Sequence, residues 1–371
     1  MNDAVDPALE NALRLALIPG IGPRYRKALL EHFGSAGEVL AAAPSRLREV
    51  PGIGAKLAHS IFNSHAEIDV ASELRRCREH NIRILLDTDP DYPRMLEEIH
   101  DPPGVLFVRG TLEPQDNVGI AIVGSRHATH YGKRQAELLA GGLARAGFTI
   151  ISGLARGIDT AAHLGALEAG GRTFAVLGSG HLNVYPPENR DLAERVAGSG
   201  AVISEQPSLA KPMSGAFPQR NRLISGLSLG VIVVEAAERS GALISTTHAT
   251  EQGREVFAVP GRVDSRMSRG CHRLIRDGAK LVESVDDVLE ELGPLVEATD
   301  HGHRQALRHP AELLLNAQEQ KVLAAIPADP TSIDEVVAAS GLPPHRVLST
   351  ISVLEMRRLI RRVSGSLVAR A

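Results

Sequence analysis

The chain has 371 residues with 41 Lys+Arg against 44 Asp+Glu, a formal charge of −3 with every His neutral. At 43% apolar and 23% charged it is ordinary globular material, long enough for a main domain with a sizeable core and one or two smaller ones, and wholesale disorder is excluded. Cys77 and Cys271 sit in no CxxC or Cys/His spacing, so neither a disulfide framework nor a zinc site is expected and a reducing cytoplasm is the expected location. The opening MNDAVDPALE is acidic where a signal peptide would be basic and then apolar, and no apolar run reaches the roughly eighteen residues of a membrane span, so neither secretion nor membrane insertion is expected. Seven Phe, four Tyr and no Trp leave few rings for base stacking, which makes each ring outside an apolar run informative.

Pattern changes divide the chain into residues 1–83, 84–293, a linker over 294–312, and 313–371. Lys+Arg against Asp+Glu is 11 to 10 in residues 1–83, 21 to 26 in 84–293 and 9 to 8 in 294–371, so any nucleic-acid surface must come from local clustering. The first part repeats a short motif, Ile18-Pro19-Gly20-Ile21-Gly22 and Val50-Pro51-Gly52-Ile53-Gly54, each followed by a helical pattern. This is a tandem helix-hairpin-helix, SAM-like signature. Its glycines let backbone N–H groups approach a phosphate, and the following helix start adds partial positive charge. Two readings stand: hairpins at 18–23 and 50–55 that contact duplex DNA, or a compact helical module that docks on the main domain or a partner.

Residues 84–293 alternate buried-type strands with helices, the pattern of a Rossmann-like parallel α/β sheet. Strands are expected at Val118–Val123, Phe148–Ile151, Thr173–Leu177, Ala201–Ile203, Val231–Val234 and Val256–Val259, with helices from about Tyr131 and Asp159. Each strand runs into a polar or glycine-bearing loop. In a doubly wound sheet such loops gather outside the carboxyl ends of the strands, where ligands bind, and these are rich in Gly, Ser and Arg, the donors that hold phosphate oxygens.

Within 294–312, His301, His303 and His309 have no carboxylate or Cys at a supporting spacing, so a solvated linker is expected and no metal. Residues 313–371 read as a winged helix: helices over Val322–Ile326, Ile333–Ala339 and His345–Arg358, a Ser340-Gly341-Leu342-Pro343-Pro344 turn, and a strand pair about Ile360 and Val368 turned at Ser364-Gly365-Ser366. Arg346, Arg357, Arg358, Arg361 and Arg362 against Glu355 make it locally basic. That suits duplex DNA, and a protein partner or its own chain equally well.

Enzyme readings fare poorly. Gly124 and Gly132 lie eight apart where a P-loop needs about five, and Lys133 precedes Arg134 instead of the Ser or Thr that would hold magnesium. No complete GxGxxG follows a strand, so no cofactor is expected. Gly226-Leu227-Ser228-Leu229-Gly230 matches GxSxG by letter, but leads into a strand, whereas a nucleophile elbow lies between strand and helix. A phosphoribohydrolase-like nucleotide enzyme is the remaining alternative. It would carry PGGxGTxxE, where this chain has Glu235-Ala236-Ala237-Glu238-Arg239-Ser240-Gly241-Ala242-Leu243 and no neighbouring acid and base pair.

Between Glu205 and Arg276 ten Lys+Arg face six Asp+Glu, a local excess inside an acidic part. There Lys211, Phe217, Arg220, Asn221 and Arg222 precede a helix expected over Leu223–Leu227, and Phe217 stands outside any apolar run. A ring beside two guanidiniums can stack a base while they hold flanking phosphates; the alternative is a Phe that plugs the sheet edge.

Taken together, Val123-Gly124-Ser125-Arg126, Tyr131-Gly132, Ser152-Gly153-Leu154-Ala155-Arg156-Gly157-Ile158-Asp159, Tyr185-Pro186-Pro187-Glu188-Asn189, Ser204-Glu205, Phe217 through Ser228, Ser240 through Ile244 and Ala258-Val259-Pro260-Gly261 resemble the DNA-processing protein A (DprA/Smf) family over about residues 80–290. The resemblance implies a mediator that is not an enzyme: it binds single-stranded DNA, protects it, and loads the recombinase RecA during natural transformation. It also implies a homodimer through the Rossmann-like domain and contact with single-strand binding protein. Carried over residue by residue, it makes Gly124, Ser125 and Arg126 a phosphate cradle, Phe217 a stacker, and Arg220 and Arg222 clamps. Lys211 is a looser match. Ser152, Gly153, Arg156, Gly157, Asn221, Ser240 and Gly241 complete the expected DNA-binding set, with Asp159 and Glu205 fixing loops or pairing with a rim Arg.

Overall fold

The structure, a computed structural model, describes residues 6–238, 240–292, 317–327, 330–356, 359–364 and 367–370. The expected linker over 294–312 and Arg357 and Arg358 lie outside the described residues. The chain forms two compact units, one holding residues up to Ala144 with Phe148–Glu283, the other Arg145–Gly147 with the residues from Ser284 onward.

The first unit begins with short helices whose ends are written in the sequence. Asp6 caps Pro7–Leu17 by accepting from the Ala8 amide, Ser35 accepts from Glu38 at the start of Ala36–Ala41, and Asp69 accepts from Ser72 at the start of Val70–Glu79. The two helices that follow the repeated motif, Pro23–Phe33 and Ala55–Phe62, have instead glycine N-caps, Gly22 and Gly54, with no side-chain cap. Ile18, Val50 and Ile53 from the repeat are buried with Leu29, Leu40, Leu47 and Ile61 in one small core.

A nine-stranded sheet follows: β1 (Arg83–Leu86), β2 (Val105–Gly110), β3 (Gly119–Val123), β4 (Thr149–Ser152), β5 (Thr173–Leu177), β6 (Ala201–Ser204), β7 (Gly230–Val233), β8 (Glu255–Ala258) and β9 (Lys280–Leu281), in the order β1-β2-β6-β5-β4-β3-β7-β8-β9. From β6 to β9 all pairings are parallel, whereas β2 pairs antiparallel with both β6 and β1. The six expected strands are present. The antiparallel β1–β2 extension and the two-residue β9 are additions that the strand-then-helix rhythm does not reveal.

Both faces of the sheet are covered, as the period of two along β5 records. Phe174 and Val176 join the core that includes Leu223 and Ile224, while Ala175 and Leu177 join the one that includes Leu192 and Val196. Helices Ala216–Gly226 and Arg190–Ser199 therefore lie on opposite faces. After β3 the chain builds β4, β5 and β6 to one side, then returns to place β7 on the other side of β3. The crevice outside the carboxyl ends of β3 and β7 is thus the topological switch point.

Two polar clamps tie the N-terminal helices to this sheet. Arg26 forms a bidentate pair with Asp87 at 2.6 and 2.9 Å, its guanidinium lying against Gly104. Glu73, buried on helix Val70–Glu79, accepts from the Ser208 amide at 2.6 Å and the Ser208 hydroxyl at 3.0 Å. The first hairpin borders a crevice of about 690 Å³ that also takes in Asp101, Glu205 and Arg222, whereas Pro51, Gly52 and Gly54 of the second are exposed.

The second unit contains helices Ala317–Ala324, Ile333–Ser340 and Pro344–Met356 and a three-stranded sheet, β10 (Thr331–Ser332), β11 (Ile360–Ser364) and β12 (Leu367–Arg370), in the order β10-β12-β11. This is a winged helix. Ser332 and Glu335 form a capping box, and Gly341 ends the same helix at a φ of 63°.

Two histidines are buried in the sheet unit without charge. His163 donates from Nδ1 to Thr173, and His181 donates from Nε2 to the Phe107 carbonyl at 2.9 Å. Burial holds their pKa values down, to about 3 and about 4. Above pH 6.5 each is neutral whether folded or unfolded, so its contribution is fully present; as pH falls below that, the unfolded chain gains a proton that the native state refuses until its own lower pKa. Stability therefore drops from about pH 6.5 towards pH 4. His181→Gln, which keeps a donor for Phe107, is expected to reduce the loss between pH 7 and pH 5 by about 1–2 kcal/mol, measured by urea denaturation at the two pH values.

Candidate functional site

A cleft of about 860 Å³ opens at the switch point. Its floor is the loop after β3. Ser125 is buried there, its amide donating to the Glu235 carbonyl at 2.7 Å and its hydroxyl accepting from the His127 amide at 3.0 Å. Glu235, at the end of β7, is itself buried and accepts from the Thr129 amide at 2.8 Å and hydroxyl at 2.6 Å. One carboxylate thus fixes the loop that carries Gly124, Ser125 and Arg126. Gly157, with φ of 79°, lets the chain after β4 pass so near that an added Cβ would lie 2.2 Å from the Ser125 carbonyl oxygen.

Asp159, buried just beyond, accepts from the amides of Gly153 at 3.1 Å and Ala155 at 3.3 Å. Burial pushes its carboxyl pKa up, opposed by the guanidinium of Arg220. Arg220 is only 6% exposed, and burial pushes its pKa down to about 10 against the pull of Asp159, so it remains a cation at neutral pH. Its Nη1 lies where a side chain on residue 153 would begin, 1.6 Å from that added Cβ. Nε and Nη1 of Arg220 have no hydrogen-bond partner among the described residues.

The structure differs from the sequence reading over the segment that carries these cations. The helix expected from Leu223 begins at Ala216, so Phe217, Arg220, Asn221 and Arg222 are helical rather than a preceding loop. At 3.6 residues per turn Phe217, Arg220, Asn221 and Ile224 share one face, which lines the cleft. Arg222 lies on the opposite side. Its Nη2 meets both oxygens of Glu205 at 2.6 Å and its Nε meets Asp101 at 3.1 Å, leaving it 6% exposed and outside the cleft. The expected second clamp is therefore an internal ion pair, and Glu205, whose pKa burial raises against the effect of Arg222, is its counter-charge.

The remaining expected residues divide similarly. Arg126 is exposed with its guanidinium 5.4 Å from the Phe217 ring centroid, and it meets no carboxylate within ion-pair distance among the described residues. Ser240 and Gly241 line the cleft at the start of helix Ala242–Glu251, and the Asn221 amide donates to the Gly241 carbonyl at 3.4 Å. Lys211 is exposed on the loop beside the cleft without lining it, and Arg156 pairs with Glu188 at the rim. Ser152 is fully buried, its hydroxyl donating to the Ile122 carbonyl at 2.7 Å, so it supports β4 rather than facing a ligand. Ser228 of the GxSxG match is likewise buried, donating to the Ile224 carbonyl.

Sequence reasoning did not single out Glu235 as the anchor of the β3 loop or Tyr185 as a cleft-lining ring. A Glu ending a buried strand was the available signal for the first, and a Tyr among prolines outside any apolar run for the second. Helices Ala216–Gly226 and Ala242–Glu251 both begin at the cleft from glycine N-caps, so their positive dipole ends add to the two guanidiniums, although the amides of Ala242, Leu243 and Ile244 already donate to the Ser240 hydroxyl, the Ser240 carbonyl and the Gly241 carbonyl. Among the described lining residues Asp159 is the one carboxylate. Such a surface, with His127 also on the lining, suits anionic oxygens and a flat apolar group.

Residues 83–293 match the family model for DNA recombination-mediator protein A, residues 12–64 the SAM-like helix-hairpin-helix tandem, and residues 306–366 the DprA winged helix domain. Protein Smf of Synechocystis sp. is 36% identical over 94% of this chain and 95% of its own. Among solved structures, DNA processing protein A from Streptococcus pneumoniae superposes with a TM-score of 0.68 at 35% identity, over 76% of this chain and 97% of its own. The Helicobacter pylori protein, solved for its single-stranded DNA binding mode, gives 0.52 at 29% identity over 57% and 95%.

Gly153→Ala is expected to force the Arg220 guanidinium away from its seat and cost about 1–3 kcal/mol of stability. Gly198→Ala, whose added methyl meets nothing within 4 Å, is the control that should lose nothing when both are compared by thermal denaturation.

Proposed function

We propose that this chain, which belongs to the DNA recombination-mediator protein A family, grips single-stranded DNA in the cleft between β3 and β7, without reading sequence and without cleaving it. The observation that carries the reading is Arg220, a buried cation on the cleft-lining face of its helix with two unpartnered donors, set beside Arg126 and the Phe217 ring. A single strand offers a phosphate at each nucleotide and bases free to stack, which matches that combination. The Helicobacter pylori neighbour's binding of single-stranded DNA adds support.

In this reading Gly124, Ser125, Arg126, Arg220, Asn221, Ser240 and Gly241 hold the backbone and Phe217 contacts a base, with Lys211 and Arg156 at the rim; Gly153, whose amide is committed to Asp159, acts only by seating the Arg220 guanidinium. Arg222 acts only by holding the helix. Family membership supports the wider role of protecting incoming DNA and loading the recombinase RecA during natural transformation, as a homodimer and in contact with single-strand binding protein. Duplex contact through the uncapped helix starts at Gly22 and Gly54, or through residues 313–371, belongs to the same proposal. Nucleotide cleavage has less support, because Asp159 is committed to the amides of Gly153 and Ala155 and has Arg220 as its counter-charge.

Fluorescence anisotropy with single-stranded and duplex oligonucleotides, alongside a nucleotide-turnover assay, tests this. Neutralising about three to five phosphates gives a slope of log affinity against log salt near −2 to −4, and a flat response with measurable turnover would reverse the conclusion. Arg126→Ala is expected to weaken binding by about 1.5–3 kcal/mol. Arg222→Ala should instead lower stability, on the order of 2–3 kcal/mol, by leaving the Glu205 carboxylate unpaired, while the folded variant keeps its affinity.

A further inference from the structure

Phe217 is not the outermost ring of the cleft. Arg126 lies 5.4 Å from its centroid, Tyr185 lies 5.8 Å away at an interplanar angle of 49°, and Gly178 packs so tightly against it that an added Cβ would sit 2.8 Å from the ring. Tyr185 lines the same cleft and is 37% exposed. The guanidinium of Arg156 sits 5.8 Å from the Tyr185 centroid, steered there by its ion pair with Glu188. The four groups form a file: Arg126, Phe217, Tyr185, Arg156.

We infer that Tyr185 is a base-stacking subsite on the path of the strand and that Arg156 is the displaceable cation resting on it. The inference rests on the single-strand reading of the cleft. The 49° tilt provides no parallel slot between the two rings, and Arg156 lies 5.8 Å from the Tyr185 centroid and within reach of its hydroxyl, so in this proposal a base takes the ring by displacing Arg156. Arg156 and Glu188 keep side-chain exposures of 45% and 51%, and an exposed ion pair and an exposed cation–ring contact are each weak beside the stacking of a base on a ring. As the base takes the ring, the guanidinium exchanges the Glu188 carboxylate for the adjacent phosphate. No bond is made or broken. The ligand class is any nucleobase of an unpaired strand, since every base has a π-face.

The test titrates full-length wild type, Tyr185→Leu, Tyr185→Phe and Glu188→Gln with an oligothymidylate of about twelve nucleotides and with an abasic sugar-phosphate strand of equal length. Tyr185→Leu is expected to lose about five- to a hundredfold in affinity for the thymidylate strand, with its affinity for the abasic strand unchanged. Tyr185→Phe should stay within about twofold of wild type on both. Glu188→Gln, which frees Arg156 and removes a repelling charge, should bind at least as tightly as wild type. The subsite is overturned if Tyr185→Leu keeps the full preference for bases over abasic sugar, if Tyr185→Phe loses that preference, or if Glu188→Gln binds more weakly. Wild type that binds neither strand would end the cleft reading as well, which separates the two failures.

Discussion

A guanidinium taken out of water needs a counter-charge and a shaped seat, and the arrangement around Arg220 supplies both. Asp159 provides the charge while its oxygen ties down the amides of Gly153 and Ala155, and Gly153 leaves the space in which the guanidinium lies. Loop, helix and cation are thereby one object. Gly157 brings this loop against the Ser125 carbonyl, and Glu235 fixes the β3 loop from the other side, so the donors of three separate segments are held in one frame before any ligand arrives. Fixed donors in a partly dehydrated cleft bind an anion better than mobile ones, because less ordering remains to be done on binding.

The helix Ala216–Gly226 shows how phase partitions similar residues into different work. Arg220 and Arg222 are two apart, about 200° around the helix, so one faces the cleft and the other faces the Glu205 and Asp101 carboxylates. The second arginine is no spare clamp. It secures the same helix to the segment leaving β6, while Glu73 reaches from the N-terminal helices to hold Ser208 in that segment. The N-terminal helices are thus mechanically joined to the stretch that carries Lys211 and Phe217. The Glu73 contact fixes Ser208 through its backbone amide as well as its hydroxyl, so it constrains the path of the chain and not merely one side chain.

Much was legible in the residues themselves. Runs such as Phe174–Leu177 and Gly119–Val123 are apolar throughout because both sheet faces are covered, and a glycine- or serine-bearing loop after such a run marks the ligand end of the sheet. The helical repeat and the winged helix were readable from glycine turns and helix periodicity. The β1–β2 extension was not, since an antiparallel edge pair carries no crossover helix to announce it. The start of the Ala216–Gly226 helix was hidden because Pro218 reads as a helix breaker, although proline is tolerated in a first turn, where the missing N–H has no partner to lose.

The sequence by itself determined the fold class, the gathering of Gly, Ser and Arg at one end of the sheet, and the presence of an aromatic ring among cations, because these depend on local pattern and composition. Tertiary structure alone decided which arginine meets the cleft, that Ser152 is a buried support, and that Tyr185 and Arg156 extend the ring and cation file beyond Phe217. The reason is geometric. Helix phase and the meeting of strands distant in the chain set the direction of a side chain, and a change of one residue in where a helix begins leaves composition untouched while redrawing which charges face one another.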